Sequence, residues 1–130
     1  VRNEVFKVGL RVLVVEDDPL DAKLMAMSLK SISPCQIVVV NSREAFESEL
    51  EHLLPDVIIA DSNVPSFDGK MARTLALQRC PQVPFIFYSG GDPEVLKSNA
   101  LSLAAQAWVT KQNLDRLDDV VRRVCGWTAS

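Results

Sequence analysis

The chain has 130 residues, 48% hydrophobic and 24% charged, with a formal net charge of −3. That is the size and make-up of one ordinary globular domain, able to bury about two-thirds of the surface its unfolded form exposes without disulfide or metal staples. The acidic balance and the lack of any Lys/Arg run exclude a nucleic-acid footprint. No apolar run approaches the roughly 20 residues of a membrane helix, so membrane insertion is not expected either.

Residues 1–9 read as an N-terminal arm, 10–127 as one domain and 128–130 as a C-terminal tail. Position 1 is Val rather than Met, which fits a chain processed or excised from something longer. No charged-then-apolar leader opens it, and a cytoplasmic location is expected. Cys35, Cys80 and Cys125 are widely spaced and form no CxxC pair, so they read as reduced thiols. His52 is the sole histidine. It cannot supply a zinc site or a Ser-His-Asp triad and reads as a solvated helix residue.

Five apolar runs predict strands: 11–16 (RVLVVE), 36–40 (QIVVV), 56–60 (DVIIA), 84–89 (PFIFYS) and 105–110 (AQAWVT). They are rich in Val, Ile and aromatics, and several lack polar alternation, as strands covered on both faces do. Helical spacing fills the gaps between them. Leu20, Leu24 and Met27 predict the first core stripe, and Phe46, Leu50 and Leu53 the second. Met71, Ala72 and Leu75 mark a weaker helix over 69–79. Leu96, Ala100 and Leu103 give the fourth, and Leu114, Leu117, Val121 and Val124 the fifth. Asp18-Pro19 and Asp92-Pro93 are start signals, and Asn41 with Glu44 predicts a capping box. Pro34, Pro55 and Pro81 mark helix ends. Strict alternation of five strands with five helices predicts an α/β domain with a doubly wound parallel sheet. In such sheets chemistry gathers at the carboxyl ends of the strands.

Glu16, Asp17 and Asp18 stand at the first of those ends, Asp61 at the third, Ser89 with Gly90 and Gly91 at the fourth, and Lys111 at the fifth. Each alone has a plain reading. An Asp at a strand end is more often a cap than a catalyst, Ser-Gly-Gly is usually turn chemistry, and a lone Lys is usually solvated. Together they make a coherent set. Clustered carboxylates repel unless a cation is present, and hard oxygen ligands suit Mg²⁺ or Mn²⁺. A carboxylate can attack phosphorus, while a lysine and a hydroxyl cover the transferring oxygens. Gly90 leaves room for close approach of backbone to a phosphoryl group.

The stretches RVLVVEDDP (11–19), PDVIIADSNVPSFDG (55–69), PFIFYSG (84–90) and AWVTK (107–111) resemble the receiver domain of bacterial two-component response regulators, over about residues 10–126. The resemblance implies a flavodoxin-like, three-layer α/β/α fold with strand order 2-1-3-4-5. It implies Asp61 as phosphoacceptor. Asp17 would bind Mg²⁺ directly and Glu16 directly or through water, with Asp61 and the backbone carbonyl of Asn63 completing the ligands. Ser89 matches the switch hydroxyl, Trp108 the switch aromatic and Lys111 the lysine of the pattern. The implied phosphodonor is a histidine kinase or histidine phosphotransfer protein. Output would pass to an effector or output domain through the face built by the fourth helix, fifth strand and fifth helix, which is also a candidate homodimer surface. Catalysis would extend only to the domain's own phosphorylation and dephosphorylation, so the chain is not expected to be an enzyme.

Three departures stand out. Gln112 replaces the Pro that often follows the lysine, so a trans bond is expected there, and a different loop. Trp108 is larger than the usual Tyr or Phe and reads equally as a rim aromatic. Ser89 stands where Thr is common. Asn63 and Gly91 flank the path of attacking water, and Gly91 blocks nothing, so a short-lived acyl phosphate is expected. Two rivals are weighed. A haloacid-dehalogenase-type phosphatase wants a second acid where Asn63 stands, and a pseudo-receiver usually lacks part of the acid–lysine set, which is whole here. A stand-alone regulator and a receiver cut from a hybrid kinase or a longer regulator fit the sequence equally.

Overall fold

A computed structural model describes residues 9–32, 34–64 and 67–126. The tail and nearly all of the arm lie outside these. The strands are β1 (Leu10–Val15), β2 (Cys35–Val40), β3 (Val57–Asp61), β4 (Phe85–Ser89) and β5 (Ala107–Thr110). The helices are α1 (Pro19–Ser28), α2 (Arg43–His52), α3 (Gly69–Arg79), α4 (Pro93–Ser102) and α5 (Leu117–Cys125). All pairings are parallel and the strand order is β2-β1-β3-β4-β5. This is the flavodoxin-like order.

Alternation along each strand divides the core into two layers. Leu13, Val15, Ile58, Ala60, Phe85 and Phe87 face α2, α3 and α4, meeting Phe46, Leu50, Ala72, Leu75, Leu96 and Ala100. Val12, Val14, Val57, Ile59, Ile86 and Tyr88 face α1 and α5, meeting Met25, Leu29, Leu117, Val120 and Val121. Strands so covered have no polar face, which is why their sequences read as unbroken apolar runs. Gly69 opens α3 where a Cβ would stand 2.9 Å from Phe87 Cε1 and 3.1 Å from the Asp61 carbonyl oxygen, so only glycine lets α3 start this close to β3.

Three local expectations are corrected. The stripe Leu20, Leu24 and Met27 does not enter the core; these residues are 62%, 43% and 53% exposed, and Met25 and Leu29 are buried instead. Polar contacts help seat α1 in this rotation. The Ser28 hydroxyl donates to the Leu114 carbonyl at 2.5 Å, and just beyond the helix the Ser31 hydroxyl donates to Asp118 at 2.7 Å. Met71 is likewise 44% exposed, and the α3 core positions are Ala72, Leu75 and Ala76. The cap of α2 is Ser42 rather than Asn41: its hydroxyl accepts from the Ala45 N–H at 3.2 Å. Asp18 and Asp92 do cap α1 and α4, accepting from the amides of Leu20 and Glu94. His52 is exposed at the end of α2, and the three thiols are half-buried and unbridged.

Candidate functional site

The register of the sheet brings four strand ends to one rim. Val15 pairs with Ala60, Asp61 with Tyr88, and Ser89 with Thr110, so Glu16 lies level with Asp61, and Ser89 and Lys111 follow one and two positions further along. Asp61, Glu16 and Ser89 are buried at 4%, 3% and 3% exposure, while Asp17 is exposed. Carboxylate oxygens of Glu16, Asp17 and Asp61 lie within 4.8 Å of one another. Three hard anionic donors at this spacing, one open to water, fit a divalent cation that keeps part of its hydration shell.

Lys111 reaches into the cluster from the end of β5. Its Nζ stands 3.1 Å from Asp61 Oδ2 and 3.7 Å from Glu16 Oε1. A Cβ on Gly90 would lie 3.3 Å from Lys111 Cδ, so this glycine makes room for the lysine stem. Asp61 Oδ1 accepts from the backbone N–H of Asn63 at 2.9 Å. Ser89 Oγ accepts from Asn63 Nδ2 at 3.0 Å and from the Gly91 N–H at 3.1 Å. With both contacts donating to it, the Ser89 hydroxyl keeps its own proton free to donate elsewhere.

Two members of this constellation are absent from the reading of the sequence. Tyr88 donates its buried phenolic O–H to Glu16 Oε1, and its ring lies under Lys111 Nζ at 5.2 Å from the centroid. The available signal was the general need of a buried Tyr for a polar partner. Asp21, on the first turn of α1, is nearest of all to the lysine: Lys111 Nζ donates to its Oδ2 at 2.6 Å. Its signal was spacing, because Asp21, Met25 and Leu29 fall at i, i+4 and i+8 and share the inward face.

The electrostatics follow from the crowding. Burial raises the Glu16 carboxyl to about 7; the Asp18 backbone N–H opposes this, and the Asp61 charge adds to it. Burial would lower the Lys111 ammonium, but hydrogen bonds to Asp21 and Asp61 outweigh it and hold the group above the usual lysine range.

Trp108 stands on β5 paired with Phe87 and is 37% exposed. Its neighbours Ala107 and Val109 point into the α1–α5 layer, so it lies on the opposite face of the sheet. After Lys111 the chain forms a 3₁₀ run over Lys111–Arg116, with a non-helical Asn113 whose amide donates to Thr110 Oγ1 at 3.1 Å.

The chain is thus a doubly wound α/β domain with an acidic, lysine-bearing rim at its strand ends. The family model "Response regulator receiver domain" matches residues 12–122, and the chain belongs to that family, a component of two-component signalling. A protein-glutamate methylesterase/protein-glutamine glutaminase of Pseudomonas aeruginosa is 32% identical over 123 residues, 90% of this chain and 33% of that protein. A namesake from Archaeoglobus fulgidus is 35% identical over 108 residues, 78% of this chain and 30% of that protein. Among solved structures, the receiver domain of the sensor histidine kinase PA1611 from Pseudomonas aeruginosa superposes with a TM-score of 0.79 at 21% identity, covering 92% of this chain and all of that one. The chain thus spans about a third of the length of its methylesterase relatives. Those relatives are enzymes, which overturns the expectation that the chain is no enzyme: what it matches is the receiver portion of enzymatic proteins. Among the described residues no helix is long and apolar enough to cross a membrane.

Proposed function

We propose that the chain accepts a phosphoryl group on Asp61 from the phosphohistidine of a histidine kinase or histidine phosphotransfer protein. The observation that carries this reading is the convergence of Lys111 and two further carboxylates, Glu16 and Asp17, on one buried aspartate, with Nζ 3.1 Å from Asp61 Oδ2. An Asp61 oxygen forms a bond to phosphorus as the phosphorus–nitrogen bond of the donor breaks. The electron pair leaves with the imidazole nitrogen, which takes up a proton from solvent. Lys111 supplies positive charge and hydrogen bonds to the equatorial oxygens as they pass. The Ser89 hydroxyl, its lone pairs occupied by Asn63 and Gly91, has its proton available for the phosphoryl group.

Glu16, Asp17 and Asp61, with the backbone carbonyl of Asn63, would hold Mg²⁺ or Mn²⁺. Bound there, such an ion cancels charge on the phosphoryl oxygens and on the carboxylates themselves. The PA1611 receiver, which shares the fold, carries magnesium in its active-site cleft, and this supports the assignment.

We take residues 10–127 as the receiver unit and the cytoplasm, where its phosphodonor would be met, as its location. Movement of Ser89 toward the new dianion would shift the population of the α4-β5-α5 face, with Trp108 upon it. That face would engage an effector, such as the remaining part of a protein built like the methylesterase relatives, or a second copy of the chain. The free approach past Gly91 favours a short-lived acyl phosphate.

The test is an intact-mass measurement after incubation with Mg²⁺ and phosphoramidate. Wild type should gain one phosphoryl group and Asp61→Asn none. An unmodified wild type, or equal adducts on both, would refute the assignment.

A further inference from the structure

We infer that Asp21 is a positioning residue for phosphoryl transfer: it holds the Lys111 ammonium in place beside Asp61. This rests on the reading of Asp61 as phosphoacceptor. Four acidic side chains surround the lysine rim, and they divide by geometry. Glu16, Asp17 and Asp61 bring their oxygens within 4.8 Å of one another, and Asp21 stands outside that group. Asp21 is nonetheless the closest anion to the lysine, at 2.6 Å against 3.1 Å for Asp61 and 3.7 Å for Glu16.

The chemistry explains why a separate anchor matters. A lysine carries three donors on a flexible four-carbon stem and fixes no geometry of its own. Tethered only to Asp61, its ammonium would be held by the very group that must turn its oxygens to phosphorus. Asp21 takes one N–H and leaves the others for Asp61 and for the oxygens of an incoming phosphoryl group. The anchor is itself rigidly seated. It lies one turn before Met25 and two before Leu29, both fully buried, on a helix capped by Asp18 and docked through Ser28. The lysine stem passes beside Gly90, and its ammonium lies over the Tyr88 ring. Placement to within an ångström is worth large factors in such reactions.

The test measures phosphoryl loading from phosphoramidate at saturating Mg²⁺ in wild type, Asp21→Asn, Asp21→Glu, Lys111→Ala and the Asp21→Asn/Lys111→Ala double variant. Asp21→Asn should load about ten-fold more slowly, the size of effect expected for a displaced catalytic group. Its Mg²⁺ dissociation constant should stay within about two-fold of wild type, since Asp21 is outside the carboxylate cluster, and Asp21→Glu should recover part of the rate. In the Lys111→Ala background Asp21→Asn should cost nothing further, because the two act as one unit. A second readout needs no turnover: the Lys111 ammonium protons should be protected from exchange by NMR in metal-free wild type and lose that protection in Asp21→Asn. Equal loading by wild type and Asp21→Asn would overturn the inference, as would an undiminished Asp21 effect without the lysine or unchanged proton protection. A wild type that accepts no phosphoryl group would instead remove the reading on which it stands.

Discussion

Glu16 holds its carboxyl where water cannot reach it. Its side chain is fully buried, its neighbours Asp61, Asp17 and Asp21 are also acidic, and Lys111 and the Tyr88 hydroxyl are the donors that face it from other elements. Its folded pKa of about 7 lies above the unfolded value of 4.5, so its contribution to stability is full below 4.5 and is lost as pH rises through 7. In EDTA, Glu16→Gln should therefore gain in melting temperature relative to wild type as pH is raised from about 4.5 to 8, as thermal melts at each pH will report. A difference that does not change with pH would mean the carboxyl is ionised throughout. At this scale the strand-end acids, Ser89 and Lys111 were legible because one rule says where an α/β sheet puts its chemistry. Tyr88 and Asp21 were not. Tyr88 lies within an apolar run, where an aromatic reads as core, and Asp21 lies inside a helix, where an acid reads as solvated.

The helices show the same limit in another form. In α5 the apolar residues gather on one side, and Leu117 and Val121 are buried as their spacing predicts. In α1, Leu20, Leu24 and Met27 line one side and Met25 with Leu29 another, so apolar periodicity alone cannot choose a face. The choice falls to contacts distant in sequence, those of Ser28, Ser31 and Asp21 with residues 114, 118 and 111. Met25→Ala should accordingly cost about 2–5 kcal/mol, as buried Met-to-Ala changes do. Leu24→Ala should stay within about 0.5 kcal/mol, as surface changes do. Urea unfolding of the two variants measures both, and a reversed ranking would restore the rotation read from the sequence. The cap of α2 missed by one residue because Asn41 and Ser42 are both competent caps, and backbone geometry decides between them.

Over the whole molecule, strand order and layering were recoverable because covered strands, right-handed crossovers and the family motifs agree. With four acids and one lysine at the rim, a cation bound there would report itself in the stability of the fold. Mg²⁺ at about a hundred times its dissociation constant should add about 2.7 kcal/mol of stability. Thermal melts with and without EDTA should register this as a rise of several degrees, and Asp17→Asn should abolish most of it. An undiminished rise in Asp17→Asn would remove that residue from the metal site.

Arg73 ties α3 to the end of α4. This guanidinium, 2% exposed on α3, donates to the carbonyls of Leu103 and Ala104 at 3.0 and 2.8 Å, where α4 ends, and lies over the Phe85 ring at 5.3 Å. The opposite end of α4 begins at Asp92, directly after the Gly91 amide that holds Ser89. A helix riveted at its foot and touched at its head would act as a lever with a fulcrum. Any shift of Ser89 would enter at the end away from Arg73, where Asp92 to Val95 would move further than Leu103. An effector that gripped the foot of α4 would feel little of such a stroke, whereas one seated on its first turn would feel most of it.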